Sequence, residues 1–75
     1  MDLIDRCLRK LIDLETSDVS DYHLAAYVDL LVQGHFRGLE GVSANRSALA
    51  DMFREKMAGT ERSFKILAAV EQSNS

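Results

Sequence analysis

Apolar residues recur at intervals of three and four along almost the whole chain, and no proline interrupts them. A 3.6-residue repeat commits a sequence to helices, because strands place side chains with a period of two. In the first stretch Leu3, Ile4, Cys7, Leu8, Leu11, Ile12 and Leu14 occupy one half of a helical wheel. Asp2, Asp5, Arg6, Arg9, Lys10 and Asp13 occupy the other. A helix over residues 2–15 is expected, with an apolar side wide enough to meet two neighbours.

The second stretch opens with good start signals. Ser20 is an N-cap residue, and Val19 and Leu24 stand at the two positions of a hydrophobic staple. Leu24, Val28, Leu31, Val32, His35, Phe36 and Leu39 then carry the helical register through GHFRGLEG (34–41), where three of the chain's four glycines lie. Glycine is about 1 kcal/mol worse than alanine inside a helix. A turn at Gly34 would strand Phe36 and Leu39, so the pattern predicts one helix from 21 to about 40, ended by Gly41. Gly34 and Gly38 then form a narrow strip with Tyr27 and Leu30, suited to close approach of another helix.

The third stretch offers Ser43 and Asn45 as caps. Leu49, Phe53, Met57, Thr60, Phe64, Leu67 and Glu71 follow at spacings of three and four, with Ala48, Met52, Ile66 and Val70 beside them. The rhythm is coherent across Gly59 and favours a single helix over 45–71. The alternative is a break at Gly59 with Thr60 capping a fourth helix at 61–71. At 1.5 Å per residue the three helices would span about 20, 30 and 40 Å. An unbroken third helix would overhang and expose Phe64, Leu67 and Val70 as an apolar patch. Either the chain folds back at Gly59 or another chain covers the overhang. The expected fold is all-α, a small bundle of three to four helices completed by self-association as a homodimer. Residues 1–71 form its single domain and 72–75 a disordered polar tail.

Size supports an assembly. A chain of 75 residues buries only about 60–65% of its unfolded surface, so its core alone is marginal. One cysteine, Cys7, permits no internal disulfide and fits a reducing compartment. No run of about 18 apolar residues is present to span a membrane. Acids among the apolar residues of the N-terminus are wrong for a signal peptide. A soluble, cytoplasmic protein is expected.

The net charge of −3 is unevenly spread. Residues 11–36 hold Asp13, Glu15, Asp18, Asp21 and Asp29 and no Lys or Arg. Residues 43–75 hold five cations (Arg46, Arg54, Lys56, Arg62, Lys65) and four acids (Asp51, Glu55, Glu61, Glu71), a net of +1. An acidic first half favours a basic protein partner over nucleic acid, although acids near helix starts also serve the helix dipole.

Little in the sequence suggests catalysis. His23 and His35 are twelve residues apart, without the i, i+4 spacing of a helical metal pair. His35 lies on the apolar stripe and reads as a core-edge histidine bonded to a carbonyl or carboxylate. Cys7 reads as a small buried hydrophobe. The glycine cluster lacks the lysine of a phosphate loop and follows no strand, and Asp18 and Asp21 begin no calcium loop. No enzyme, cofactor or metal is expected.

The segment GVSANRSALADMF (41–53) resembles the turn and recognition helix of helix-turn-helix regulators, with Arg46, Arg54 and Lys56 as DNA-facing cations. It departs from that pattern at Glu40, where a small residue is usual, and at Phe36-Arg37, where the Leu-Ala pair of the first helix belongs. An acidic second helix would also face phosphates. The reading that follows is a small acidic adaptor, inhibitor or regulator that binds protein partners by a helix face. Its candidate contacts are Tyr27, Leu30, Gly34 and Gly38, then Phe64, Leu67 and Val70, with the acids at 13–29 steering a basic or nucleic-acid-handling partner. A DNA-binding regulator is the alternative.

Overall fold

The computed structural model describes residues 2–38 and 42–72. They form four helices: α1 (Leu3–Leu14), α2 (Asp21–Phe36), α3 (Val42–Lys56) and α4 (Glu61–Glu71). The all-α bundle is as expected, and its four-helix form follows from a break at Gly59. Gly59 has φ +82°, a left-handed conformation that ends a helix and that residues with a Cβ adopt only at a cost. Thr60 then caps α4: its side chain accepts from the Ser63 N–H, and the Ser63 side chain accepts from the Thr60 N–H. These reciprocal bonds satisfy two backbone donors that a helix start leaves open. The single helix over 45–71 is therefore corrected to two. A rod of about 40 Å would also exceed the molecule's longest extent of 31 Å.

The second helix is shorter than its pattern. It ends at Phe36, and Gly38 takes φ +76° just beyond it. Phe36 is fully buried and is the last core residue of α2. Gly38 therefore stands past the helix end, not on its side. Leu39 and the proposed terminator Gly41 lie outside the described residues, as do the Ser43 side chain and tail residues 73–75.

The core draws on every helix: Cys7, Leu8, Leu11 and Leu14 of α1, Leu24, Val28, Val32 and Phe36 of α2, Leu49, Ala50 and Phe53 of α3, and Ile66, Leu67, Ala69 and Val70 of α4. Helix α1 packs on both α2 and α3, as its broad apolar side requires, and α4 packs on the same two. The α1–α2 and α3–α4 turns lie at one end of the bundle. There the Glu15 carboxylate accepts from the Ala58 N–H at 2.9 Å and from the Ser63 hydroxyl.

Arg62 ties the same end together. Its guanidinium donates to the Leu14 carbonyl (2.8 Å), the Val19 carbonyl (2.6 Å), Ser17 Oγ (3.1 Å) and Asp21 Oδ1 (2.6 Å). One planar fork from α4 thus fixes the whole α1–α2 turn. Lys65 adds a 3.2 Å contact to Asp21. Eight residues further along both helices, Arg46 links Asp29 of α2 (2.8 Å) with the carbonyl of Val70 in α4 (3.5 Å). The two helices thus run in the same direction.

Candidate interaction surface

Helix α2 has one face in the core and a broad face in solvent. Leu24, Val28, Val32 and Phe36 point inward. At 100° per residue the opposite arc carries Tyr22, His23, Ala26, Tyr27, Leu30, Gln33 and Gly34. All seven are exposed, with Tyr22 at 89%, Leu30 at 69% and Tyr27 at 47%. Apolar residues are thus spread around most of the circumference of α2, whereas α1 is sharply two-sided. A helix apolar all round is normally covered all round.

The arc has no Lys, Arg, Asp or Glu. Between residues 22 and 36 the only such residue is Asp29. Asp29 is bound to Arg46 at 2.8 Å and accepts from Gln33 Nε2 at 2.9 Å. The outer faces of the other helices are charged: Asp5, Arg6, Arg9, Lys10 and Asp13 on α1, Asp51, Arg54, Glu55 and Lys56 on α3, Glu61, Lys65 and Glu71 on α4.

Gly34 lies inside this face. A Cβ placed on it would meet nothing within 4 Å, and its φ is not positive. Neither packing among the described residues nor backbone conformation calls for glycine at this position. Tyr27 and Leu31 border a shallow groove of about 220 Å³ toward α1, shared with Lys10, Leu14 and Val19. Among the contacts read from sequence, Tyr27, Leu30 and Gly34 share one exposed face, with Gly38 just beyond its end.

The second predicted surface is dispersed. Leu67 is 6% exposed and Val70 fully buried, both in the core, while Phe64 stands alone at 54%. The break at Gly59 causes this: α4 folds back and turns Ser63, Ile66, Leu67 and Val70 inward, so no overhang remains. Thr60 and Glu71, counted in the same rhythm, are exposed.

The acids of 11–36 do not form one free patch. Asp21 is held by Arg62 and Lys65, Asp29 by Arg46, and Glu15 by Ala58 and Ser63. Lys65 foremost, then Arg62, lowers the carboxyl pKa of Asp21 below its ordinary value of 3.8. Only Asp13 and Asp18 of the five make no side-chain bond among the described residues.

The cations offered for DNA fare similarly. Arg46 is 4% exposed. Arg54 pairs with Asp51 (3.0 Å) and Glu71 (2.7 Å). Lys56 is exposed and borders a groove of about 400 Å³ between α1 and α3, beside Asp5, Arg9 and Asp13. No basic face arises from these three.

His35 is half-buried and its Nδ1 donates to the Leu31 carbonyl at 2.9 Å, the carbonyl contact expected of it. His23 shares a 2.9 Å hydrogen bond with Ser20 Oγ, so the Ser20 side chain is turned to His23 and does not cap the backbone of α2. Cys7 is fully buried and burial pushes its thiol up to about 11, against a smaller opposing pull from Arg46. Among the described residues no three His, Cys, Asp or Glu side chains are grouped to hold a metal ion, and no helix is long and apolar enough to cross a membrane.

Sequence reasoning counted Arg46 and Arg62 as cations but missed what they pair with. Arg46 and Arg62 quench Asp29 and Asp21 from 17 and 41 residues away, and no local spacing signals such pairs. Compared with protein-family models, curated proteins and solved structures, the chain matches none of them.

Proposed function

We propose that this protein is a non-enzymatic interaction module that binds through the outward face of α2. The observation that carries the reading is a solvent-facing helix surface with two tyrosines, a leucine and an unexplained glycine and no ionised Asp, Glu, Lys or Arg. Apolar patches of this kind mark binding sites on small soluble domains. The face suits an apolar helix laid along it. Adaptor, inhibitor and regulator roles all operate this way, without bond-making chemistry. Basic-partner steering falls to Asp13 and Asp18 and is secondary to apolar contact. A reducing compartment such as the cytoplasm suits the lone buried thiol.

The test compares proteins captured from the source cell by the wild-type chain, by Leu30→Glu and by Phe64→Glu, with folding checked by circular dichroism. Partners lost with Leu30→Glu and retained with Phe64→Glu support the α2 face. Equal capture by all three sinks it.

A further inference from the structure

We infer that the occupant of the α2 face is a second copy of this chain, packed antiparallel about a two-fold axis crossing α2 between Leu30 and Leu31. The inference rests on the α2 reading above and names its partner. His23, Tyr27, Leu30 and Gly34 follow one another at i, i+4, i+7 and i+11, a nearly straight strip along the helix. An isologous contact needs each projection on a surface to meet a recess on the same surface, at positions exchanged by the two-fold axis. This strip meets that condition. An axis between residues 30 and 31 sets Tyr27 opposite the twin's Gly34 and brings the two Leu30 side chains together. Open space around the missing Cβ of Gly34 leaves room for the Tyr27 ring. A glycine that costs helix stability in the isolated chain gains its reason in the pair.

Charge and area point to the same occupant. A face without Asp, Glu, Lys or Arg meets its own copy without like-charge repulsion, and it offers nothing to select a charged partner. Helix α2, with 16 residues, is about 24 Å long. Its exposed arc offers on the order of 500 Å², about a tenth of the chain's 4855 Å². Two copies bury roughly 1000 Å², the lower limit for a specific interface. A contact at that lower limit belongs with weak, concentration-dependent dimers, and it enlarges a core that is small for a lone domain.

Sedimentation velocity between about 1 and 500 µM, a range in which weak dimers dissociate, tests the pairing. A monomer–dimer equilibrium is expected for the wild type. Gly34→Leu and Leu30→Asp should each raise the dimer Kd at least about tenfold with unchanged helical circular dichroism. Disulfide trapping keeps the test valid if a variant folds poorly. Native Cys7 is 0% exposed and gives no background, so Leu30→Cys should cross-link to its own copy under mild oxidation. A mixture of Tyr27→Cys and Gly34→Cys chains should cross-link more than either alone. A monomer throughout the range, with no Leu30→Cys cross-link, overturns the twin as occupant and leaves the α2 reading to the capture experiment. A dimer indifferent to Gly34→Leu and Leu30→Asp also overturns it, by placing the contact elsewhere.

Discussion

Replacing Arg62 with methionine isolates the fork that holds the α1–α2 turn. Methionine preserves much of the aliphatic stem, so the loss reports the guanidinium and not the packing. The four acceptors differ in what they keep. The Leu14 carbonyl retains the Ser17 hydroxyl at 3.1 Å, and Ser17 Oγ retains its bond from the Val19 N–H. The Val19 carbonyl, bound at 2.6 Å, loses its charged donor. A hydrogen bond to a charged group contributes about 1.5–3 kcal/mol, and the partly compensated Leu14 carbonyl adds roughly 0.5 kcal/mol. The site is part-buried, with the Arg62 side chain 18% exposed, so water recovers some of this. The surface contact with Asp21 is left out of the figure. A net loss of about 2–3 kcal/mol is expected, against a total of roughly 4–11 kcal/mol for a domain of this length. At about 4–8 °C per kcal/mol the midpoint should fall by roughly 10–20 °C. Thermal and urea unfolding followed by circular dichroism measure it. Arg62→Lys should fall between, because an ammonium cannot span the turn as a fork does. A shift of less than about 3 °C for Arg62→Met would refute the reasoning.

Three further outcomes follow from the same structure. Gly34→Ala should stabilise the isolated chain by about 0.5–1 kcal/mol, because the new Cβ meets open space on an ordinary helical backbone; a urea midpoint that falls at low protein concentration would show that the site is not free. Asp21→Asn should flatten the acid limb of stability. Its folded pKa lies below the ordinary 3.8, so its contribution is complete above that pH and is lost as pH falls through the folded value; identical acid unfolding of the two chains would remove Asp21 from that limb. Cys7 should resist a disulfide reagent at pH 8 in the native state and react on unfolding in urea, since burial both shields the thiol and raises it to about 11; fast native-state labelling would contradict its burial.

The legible parts of this fold are those written in local spacing. The seven apolar residues of α1 read as one face because a single helix presents them, and Ser20 marks the start of α2 whether or not its hydroxyl caps it. Spacing misleads at Gly59 because two helices, each with its own apolar face, can by chance stay in step across a break. Leu49, Phe53 and Leu67 do lie in the core, but Phe64, in step with them, faces solvent. The deciding facts there were conformational: a left-handed glycine and a Thr60–Ser63 cap, both present in the sequence as Gly-Thr-x-x-Ser and outweighed by the rhythm. Gly38 misled for the same reason, since Phe36 closes the core face of α2 before the pattern runs out. Charge misled differently. Counting acids over 11–36 made an acidic segment, but a charge acts on a partner only if nothing nearer has engaged it. Arg46, Arg62 and Lys65 engage Asp29 and Asp21 across the fold. Once those pairs are formed, the same stretch has the opposite character: α2 is the one helix whose outer face is uncharged. The tyrosine–leucine–glycine strip was visible from spacing alone. The reason its flank carries no free charge was not, because that depends on which distant cations pair with Asp21 and Asp29.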